Sequence, residues 1–246
     1  FYTRLLASPE FTRGLCKTMR LFISGSAPLL AETHRLFEER TGHRILERYG
    51  MTETNMITSN PYKGERIAGT VGYPLPGVEV KVTDAGSGAS LGVREIGIIE
   101  VRGDNVFQGY WNMLEKTAEE LREDGFFVTG DIGTKEADGR VSIVGRAKDI
   151  IISGGYNIYP KEIEDLLDDL ASIDESAVFG VPHPDFGESV IAAIVPCGDG
   201  LDIDQIKAEL DHKLAGFKRP REYVVLTNLP RNTMGKAQKN TLRELY

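Results

Sequence analysis

Ile45-Leu46-Glu47-Arg48-Tyr49-Gly50-Met51-Thr52-Glu53 sets the reading of the chain: a β-prone run that stops at a glycine followed by a hydroxyl and a carboxylate. Working back from it, Leu21-Phe22-Ile23 is a second short apolar run, closed by Ser24-Gly25-Ser26-Ala27-Pro28. Between the two, Leu29, Leu30, Thr33, Leu36 and Phe37 recur near helical period. Strand, helix and strand of these lengths predict one βαβ unit of a parallel sheet. Further back, Phe1-Tyr2-Thr3-Arg4-Leu5-Leu6 opens with no methionine and no N-cap, as the interior of a helix would, so the chain is expected to be part of a longer protein.

Working forward, the texture changes after Pro61. Glycine and proline punctuate short strands at 78–82, 96–101, 126–128 and 141–144, the pattern of an antiparallel β-subdomain, with 84–92 as a surface hairpin loop. A second change falls near Arg146-Ala147-Lys148-Asp149. Beyond it come Ile150-Ile151-Ile152, a glycine pair, and a helix starting at Pro160 with Ile163, Leu166, Leu167 and Leu170 on one face. Strands at 176–181 and 190–195, a helix carrying Ile203, Ile206, Leu210 and Leu214, a strand at 223–226 and a terminal helix complete a βαββαβα order. The expected fold class is therefore α/β plus α+β: residues 1–147 as the end of a large domain, and 148–246 as a small α+β domain.

Composition narrows the function. Hydrophobic residues make up 41% and charged residues 27%, and 29 basic against 37 acidic residues give a net charge of −8. An acidic chain with no basic block argues against nucleic-acid binding. The longest aliphatic run, 190–195, is too short for a membrane span, and no signal-peptide pattern opens the chain. Cys16 and Cys197 lack metal-ligand spacing and suit a reducing compartment; a cytoplasmic protein, monomeric or weakly dimeric, is expected.

Five polar clusters have chemistry in them. Ser24-Gly25-Ser26-Ala27-Pro28 joins a strand to a helix start, where small residues admit a ligand to backbone N–H groups; a loop with a serine N-cap explains it as well. Tyr49, Gly50, Thr52 and Glu53 end a sheet strand, where an aromatic plane, a hydroxyl and a carboxylate suit a purine, a phosphate and Mg²⁺, or else a half-buried tyrosine beside an exposed glutamate. Thr129-Gly130-Asp131 follows a short strand, and its carboxylate either accepts ribose hydroxyls or serves an ordinary turn. Gly154-Gly155 reads as a tight strand-to-helix connection needing positive φ, or as a backbone past which a thin ligand slides. Arg231 to Lys236 is a polar loop without Walker A spacing, whose Lys236 either neutralises charge on a phosphate or is a surface lysine.

Taken in order, these clusters, with GIIEVRG at 97–103, GRAKDIIISGGYNIYPKEIE at 145–164 and NTMGKAQK at 232–239, resemble the motif series of the adenylate-forming superfamily. The similarity runs over essentially the whole chain, and within the superfamily it looks closest to malonyl-CoA synthetases, notably at 47–61 and 230–239. The resemblance implies ATP-dependent activation of malonate to an acyl-adenylate, then transfer to CoA with release of AMP. It assigns Glu53 to Mg²⁺, Thr52 to phosphate, Tyr49 to the adenine, Asp131 and Arg146 to the ribose, and Lys236 to adenylation. Ser24, Gly25, Ser26, Ala27 and Gly50 fall in its nucleotide-binding motifs, Lys148 at a hinge, and Gly154 and Gly155 along the pantetheine tunnel. Arg4 and Arg48, with Ser26 nearby, match positions that meet the free carboxylate of malonate, for which a guanidinium fork is well suited; a solvated helix residue is the other reading of Arg4. The superfamily's Ser/Thr/Gly-rich phosphate loop has no counterpart in these 246 residues, so the chain alone is expected to have little or no synthetase activity. A ligase for another short or medium acid, and a non-catalytic nucleotide-binding or interaction fragment, are the alternatives.

Overall fold

A computed structural model of the chain describes every residue except 26–28, 199 and 234. The contacts divide it into two units, Phe1–Ile143 and Val144–Tyr246. Among the described residues no helix is long and apolar enough to cross a membrane.

The first unit begins with helix α1 (Tyr2–Ala7), strand β1 (Ile23–Ser24), helix α2 (Ala31–Thr41) and strand β2 (Leu46–Met51). β1 and β2 pair in parallel, Ile23 opposite Leu46 and Ser24 opposite Glu47, so the expected βαβ unit is present. Its helix differs in detail. Phe37 is fully buried and sets the inward face, so the residues three and four positions before it and four after, His34, Thr33 and Thr41, are buried too. Leu36 falls off that face and is 43% exposed. The cap position is Leu30, with no side-chain capping bond, so the serine N-cap reading of the 24–28 loop does not hold. Gly42 closes the helix at φ +75°, donating its N–H to Glu38 O at 2.7 Å. Around Phe37 pack Phe11, Cys16 and Ile45, with Tyr2 and Phe22 edge-on at 5.1 and 4.9 Å between ring centres.

β2 turns back into β3 (Asn55–Ser59), which pairs antiparallel with it and with β4 (Tyr73–Pro74). A second sheet, in sequential order, holds β5 (Glu79–Thr83), β6 (Gly97–Arg102), β7 (Phe127–Lys135) and β8 (Val141–Arg146). Its core is Val80, Ile99, Val101 and Val141, joined by Ile57 of β3. The expected 84–92 loop connects β5 to β6, tightened by the Asp84 carboxylate, which accepts from the N–H groups of Gly86 and Ser87 and from the Ser87 hydroxyl. Helix α3 (Leu114–Glu120), absent from the sequence reading, buries none of its residues and so carries no apolar stripe to announce it.

In the second unit a 3₁₀ turn (Ala147–Asp149) leads to β9 (Ile151–Ser153), β10 (Tyr156–Ile158), helix α4 (Pro160–Asp168), β11 (Ile173–His183), β12 (Gly187–Pro196), helix α5 (Ile203–Lys213), β13 (Glu222–Val225) and helix α6 (Lys239–Leu245). The expected α+β order holds with one strand added, β10. The sheet runs β10-β9-β12-β11, and β13 joins β12 in parallel. Alternation along β11 separates two cores. Val178 packs with Ile163 and Leu167 of α4 and Ile206 and Leu210 of α5. Ala177 and Phe179 pack with Leu229 and with Leu242 of α6. Asp202 caps α5, its carboxylate accepting from the N–H groups of Asp204 and Gln205.

Candidate functional site

In the first unit β1 ends at Ser24, opposite Glu47, and β2 runs on to Met51; the residues along and just beyond these strand ends are those singled out in the sequence. Gly25 follows Ser24 at the end of β1. A Cβ at Gly25 would sit 2.7 Å from Arg48 Cγ and 3.1 Å from both Arg48 Nε and Arg48 O, so the absence of a side chain lets Arg48 cross flat over the strand end. The Arg48 side chain is exposed, and its guanidinium makes no hydrogen bond or ion pair with a described residue. Ser26 and Ala27 lie outside the described residues. Arg4 is exposed on α1; that helix is tied to β1 by the Tyr2 hydroxyl, which donates to Ile23 O at 2.6 Å. No hydrogen bond or ion pair among the described residues joins Arg4 to Arg48.

The β2–β3 turn is held by close backbone packing. A Cβ at Gly50 would stand 2.1 Å from Asn55 O, so only glycine fits there, and Asn55 takes the left-handed conformation at φ 49°. The register between β2 and β3 shifts at this point, a bulge between Tyr49 and Gly50. Thr52 in the turn is exposed and Glu53 partly buried.

Asp131 is not in a turn after a short strand, as the sequence reading has it. It lies inside the nine-residue β7, where Gly130 at φ +69° and a register shift opposite 98–100 of β6 make a bulge. The bulge is fixed by the Thr129 hydroxyl, which donates to Ile99 O at 2.8 Å and accepts from the Asp131 N–H at 3.1 Å. Bulges of this kind re-aim side chains beside functional sites. Here the Asp131 carboxylate, 4% exposed, meets the Tyr49 hydroxyl, which donates to Oδ2 at 2.5 Å. Two candidate nucleotide-binding residues 82 positions apart are thus in direct contact.

Sequence reasoning missed the loop between β6 and α3, which clamps the Glu53 turn. The Phe107 N–H donates to Glu53 O at 2.7 Å, and the Asn105 amide donates to Thr54 O at 2.7 Å. The Tyr110 hydroxyl lies 3.0 Å from Glu53 Oε1 and 2.6 Å from Glu120 Oε2. Burial, then the bonds to Glu120 and Glu53, push the Tyr110 phenol well above its ordinary pKa, so it stays protonated. The cluster of Gly103, Gly109, Tyr110 and Trp111 was the visible signal. Among the described residues no group of three or more His, Cys, Asp or Glu side chains is placed to hold a metal ion. The partly buried Glu53 carboxylate has the chemistry of a Mg²⁺ ligand, since that ion takes one or two carboxylates and completes its shell with water and phosphate oxygens.

In the second unit, Arg146 ends β8 with its side chain exposed, and Lys148 sits exposed in the 3₁₀ turn. Gly154 and Gly155 form the turn of the β9–β10 hairpin instead of a strand-to-helix connection. Their φ values of 58° and 82° are those a two-residue hairpin turn requires, which answers the conformational reading of the pair. Lys236 is exposed on a loop closed by its own backbone: Asn232 N–H donates to Lys236 O at 3.0 Å, Lys236 N–H to Asn232 Oδ1 at 2.9 Å. Arg231 braces that loop, bonding to Gly235 O at 2.6 Å and pairing with Glu175.

Two family models match the chain, AMP-binding enzyme over residues 1–111 and AMP-binding enzyme C-terminal domain over residues 162–236. The chain belongs to the AMP-binding, adenylate-forming enzymes. It is 38% identical over 265 residues to a probable CoA ligase, CCL8, of Humulus lupulus, a match covering 99% of this chain and 43% of that protein. A malonate–CoA ligase of Arabidopsis thaliana is 39% identical over 240 residues, covering 93% of this chain and 39% of its own length. Among solved structures, ATP-bound MatB from Rhodopseudomonas palustris matches with a TM-score of 0.97 at 57% identity, over 100% of this chain and 49% of that one. The chain spans less than half the length of these relatives.

Proposed function

We propose that the chain is the part of an ATP-dependent acid–CoA ligase that completes the nucleotide site and meets the acid, and that the acid is malonate. One malonate carboxylate attacks the α-phosphorus of ATP and diphosphate leaves; the CoA thiol then attacks the acyl carbon and AMP leaves. In this reading the Asp131 carboxylate, oriented by the Tyr49 hydroxyl, accepts from the ribose hydroxyls, with Arg146 as a second ribose contact and the Tyr49 ring against the adenine. Thr52 donates to a phosphate, with Ser24, Gly25 and Gly50 as further nucleotide contacts. Glu53 is the residue that would hold Mg²⁺, and bound there the ion supplies positive charge against the phosphates. Lys236 neutralises charge developing at the α-phosphate, Lys148 is the hinge, and the Gly154–Gly155 turn gives the pantetheine arm a wall without side chains.

The observation that carries the choice of acid is Arg48. An exposed guanidinium, laid over Gly25 at the carboxyl end of β1 and engaged by no described residue, is suited to the second carboxylate of a dicarboxylic acid. Similarity to the Arabidopsis malonate–CoA ligase and to MatB supports it. The test uses the full-length protein that carries this sequence. Arg48→Ala and Arg4→Ala remove charge-assisted hydrogen bonds of about 1.5–3 kcal/mol each, roughly 10- to 150-fold in kcat/KM for malonate. Turnover of butyrate, which has no second carboxylate, is expected to stay within a few-fold. An unchanged malonate-to-butyrate ratio in both variants points to a monocarboxylate ligase.

A further inference from the structure

The loop that carries Lys236 is exposed, yet its backbone is closely held. The peptide group between Gly235 and Lys236 is gripped at both ends: its carbonyl accepts from Arg231 Nη1 at 2.6 Å, and its N–H donates to Asn232 Oδ1 at 2.9 Å. The Lys236 carbonyl accepts from the Asn232 N–H at 3.0 Å, so the peptide groups on both sides of the Lys236 Cα are fixed. Because a peptide group is planar, pinning its two polar ends sets the direction in which the lysine stem leaves the chain. Gly235 supplies the left-handed turn this requires, at φ +80°. Arg231 carries the grip beyond the loop, since its Nη2 pairs with Glu175 of β11. The register of β11 against β12 shifts between Ile173 and Glu175, and a bulge of this kind re-aims the side chains beside it. The same carboxylate accepts from the Leu229 N–H at 3.4 Å, and the Leu229 side chain is buried with Phe179 and Leu242. One guanidinium fork therefore ties the peptide ahead of Lys236 to the sheet, a double contact that the single nitrogen of a lysine does not reproduce.

We propose that Arg231, anchored by Glu175, is a positioning residue for Lys236: it holds the Gly235 carbonyl so that the lysine stem starts from a fixed point and its ammonium reaches the α-phosphate in the adenylation step. This rests on the reading of Lys236 as the adenylation residue. An ion pair at the surface contributes little to stability, so the effect of this pair falls on where the lysine stands and not on whether the second unit folds. Placement to within about 1 Å is what such a step requires.

The experiment separates the two half-reactions in the full-length protein. Adenylation is followed by acid-dependent exchange of diphosphate into ATP, with the acid that the wild type exchanges fastest. Thioester formation is followed by supplying CoA and the chemically prepared adenylate of that acid, a step the lysine does not serve in this reading. Arg231→Lys keeps the charge and loses the fork, and is expected to lower the exchange kcat about tenfold, with KM for ATP, thioester formation and the melting temperature unchanged. Glu175→Gln, which leaves the fork without its charged anchor, is expected to lower exchange about threefold. Lys236→Ala is the reference. Unaltered exchange in Arg231→Lys, where Lys236→Ala abolishes it, overturns the positioning role. Equal losses in both half-reactions overturn it too, because they mark a residue that supports the fold. Unaltered exchange in Lys236→Ala overturns the reading of Lys236 itself. Should Arg231→Lys lose its fold, Glu175→Gln decides, and full exchange in that variant refutes the proposal.

Discussion

Asp168, near the end of α4, is the most exposed point of the second unit to a change of pH. Its carboxyl is pushed up from 3.8 to about 7, chiefly by burial; the Ser176 hydroxyl, donating at 2.7 Å, offsets part of the rise, Glu164 and Asp165 add to it, and Lys161 lowers it slightly. The C-terminal end of a helix is also an unfavourable place for an anion. Between about pH 4 and pH 7 the folded chain keeps a proton that the unfolded chain has lost, so stability falls as pH rises through that window and levels off above it. From pH 5 to pH 8 the window covers two pH units at ~1.4 kcal/mol each, so this one group removes about 3 kcal/mol. Asp168→Asn retains an acceptor for Ser176 and cannot ionise. Urea titrations at pH 5 and pH 8, read by circular dichroism, are therefore expected to show a midpoint fall of about 1–3 M in the wild type that the variant lacks. The only tryptophan, Trp111, lies in the first unit, and its fluorescence gives an internal control that the substitution leaves unmoved. An equal pH 5-to-8 loss in the two proteins refutes the assignment.

Two further substitutions probe the scaffold. Gly50→Ala drives a methyl into Asn55 O and forces the β2–β3 hairpin apart, which is expected to cost about 1–3 kcal/mol in a thermal melt. Moving the Thr52–Glu53 turn by about 1 Å is also expected to cost on the order of 100-fold in kcat, and normal turnover in this variant removes the turn from the site. Asp202→Ala leaves two amide groups of α5 without their cap and is expected to lower second-unit stability by about 1 kcal/mol in urea titrations, with Asp202→Asn near wild type.

The sequence made the β1–α2–β2 unit and the helices α4 and α5 legible because each carries an uninterrupted apolar signal at its own period. It hid β7 because Gly130 breaks strand patterning in mid-element, and only the ladder with β6 shows that the strand resumes at Asp131. It hid β10 because a glycine pair ahead of Pro160 looks like an entry to a helix, whereas positive φ at both positions turns the chain back on itself. The members of the candidate site could be picked out by residue type and by resemblance, but not their partners. Tyr110 and Glu53 are 57 positions apart, Tyr49 and Asp131 82, and side-chain pairing at that separation leaves no trace in local periodicity.

Gly25 decides where a charge stands without contributing an atom beyond the backbone. A methyl group there would press on a flexible arginine stem and on a carbonyl that has little freedom to yield, so the stem is what would move. Under the role proposed for Arg48, Gly25→Ala becomes a fine adjustment of acid preference, shifting the reach of the guanidinium by ångström fractions while leaving the arginine itself in place.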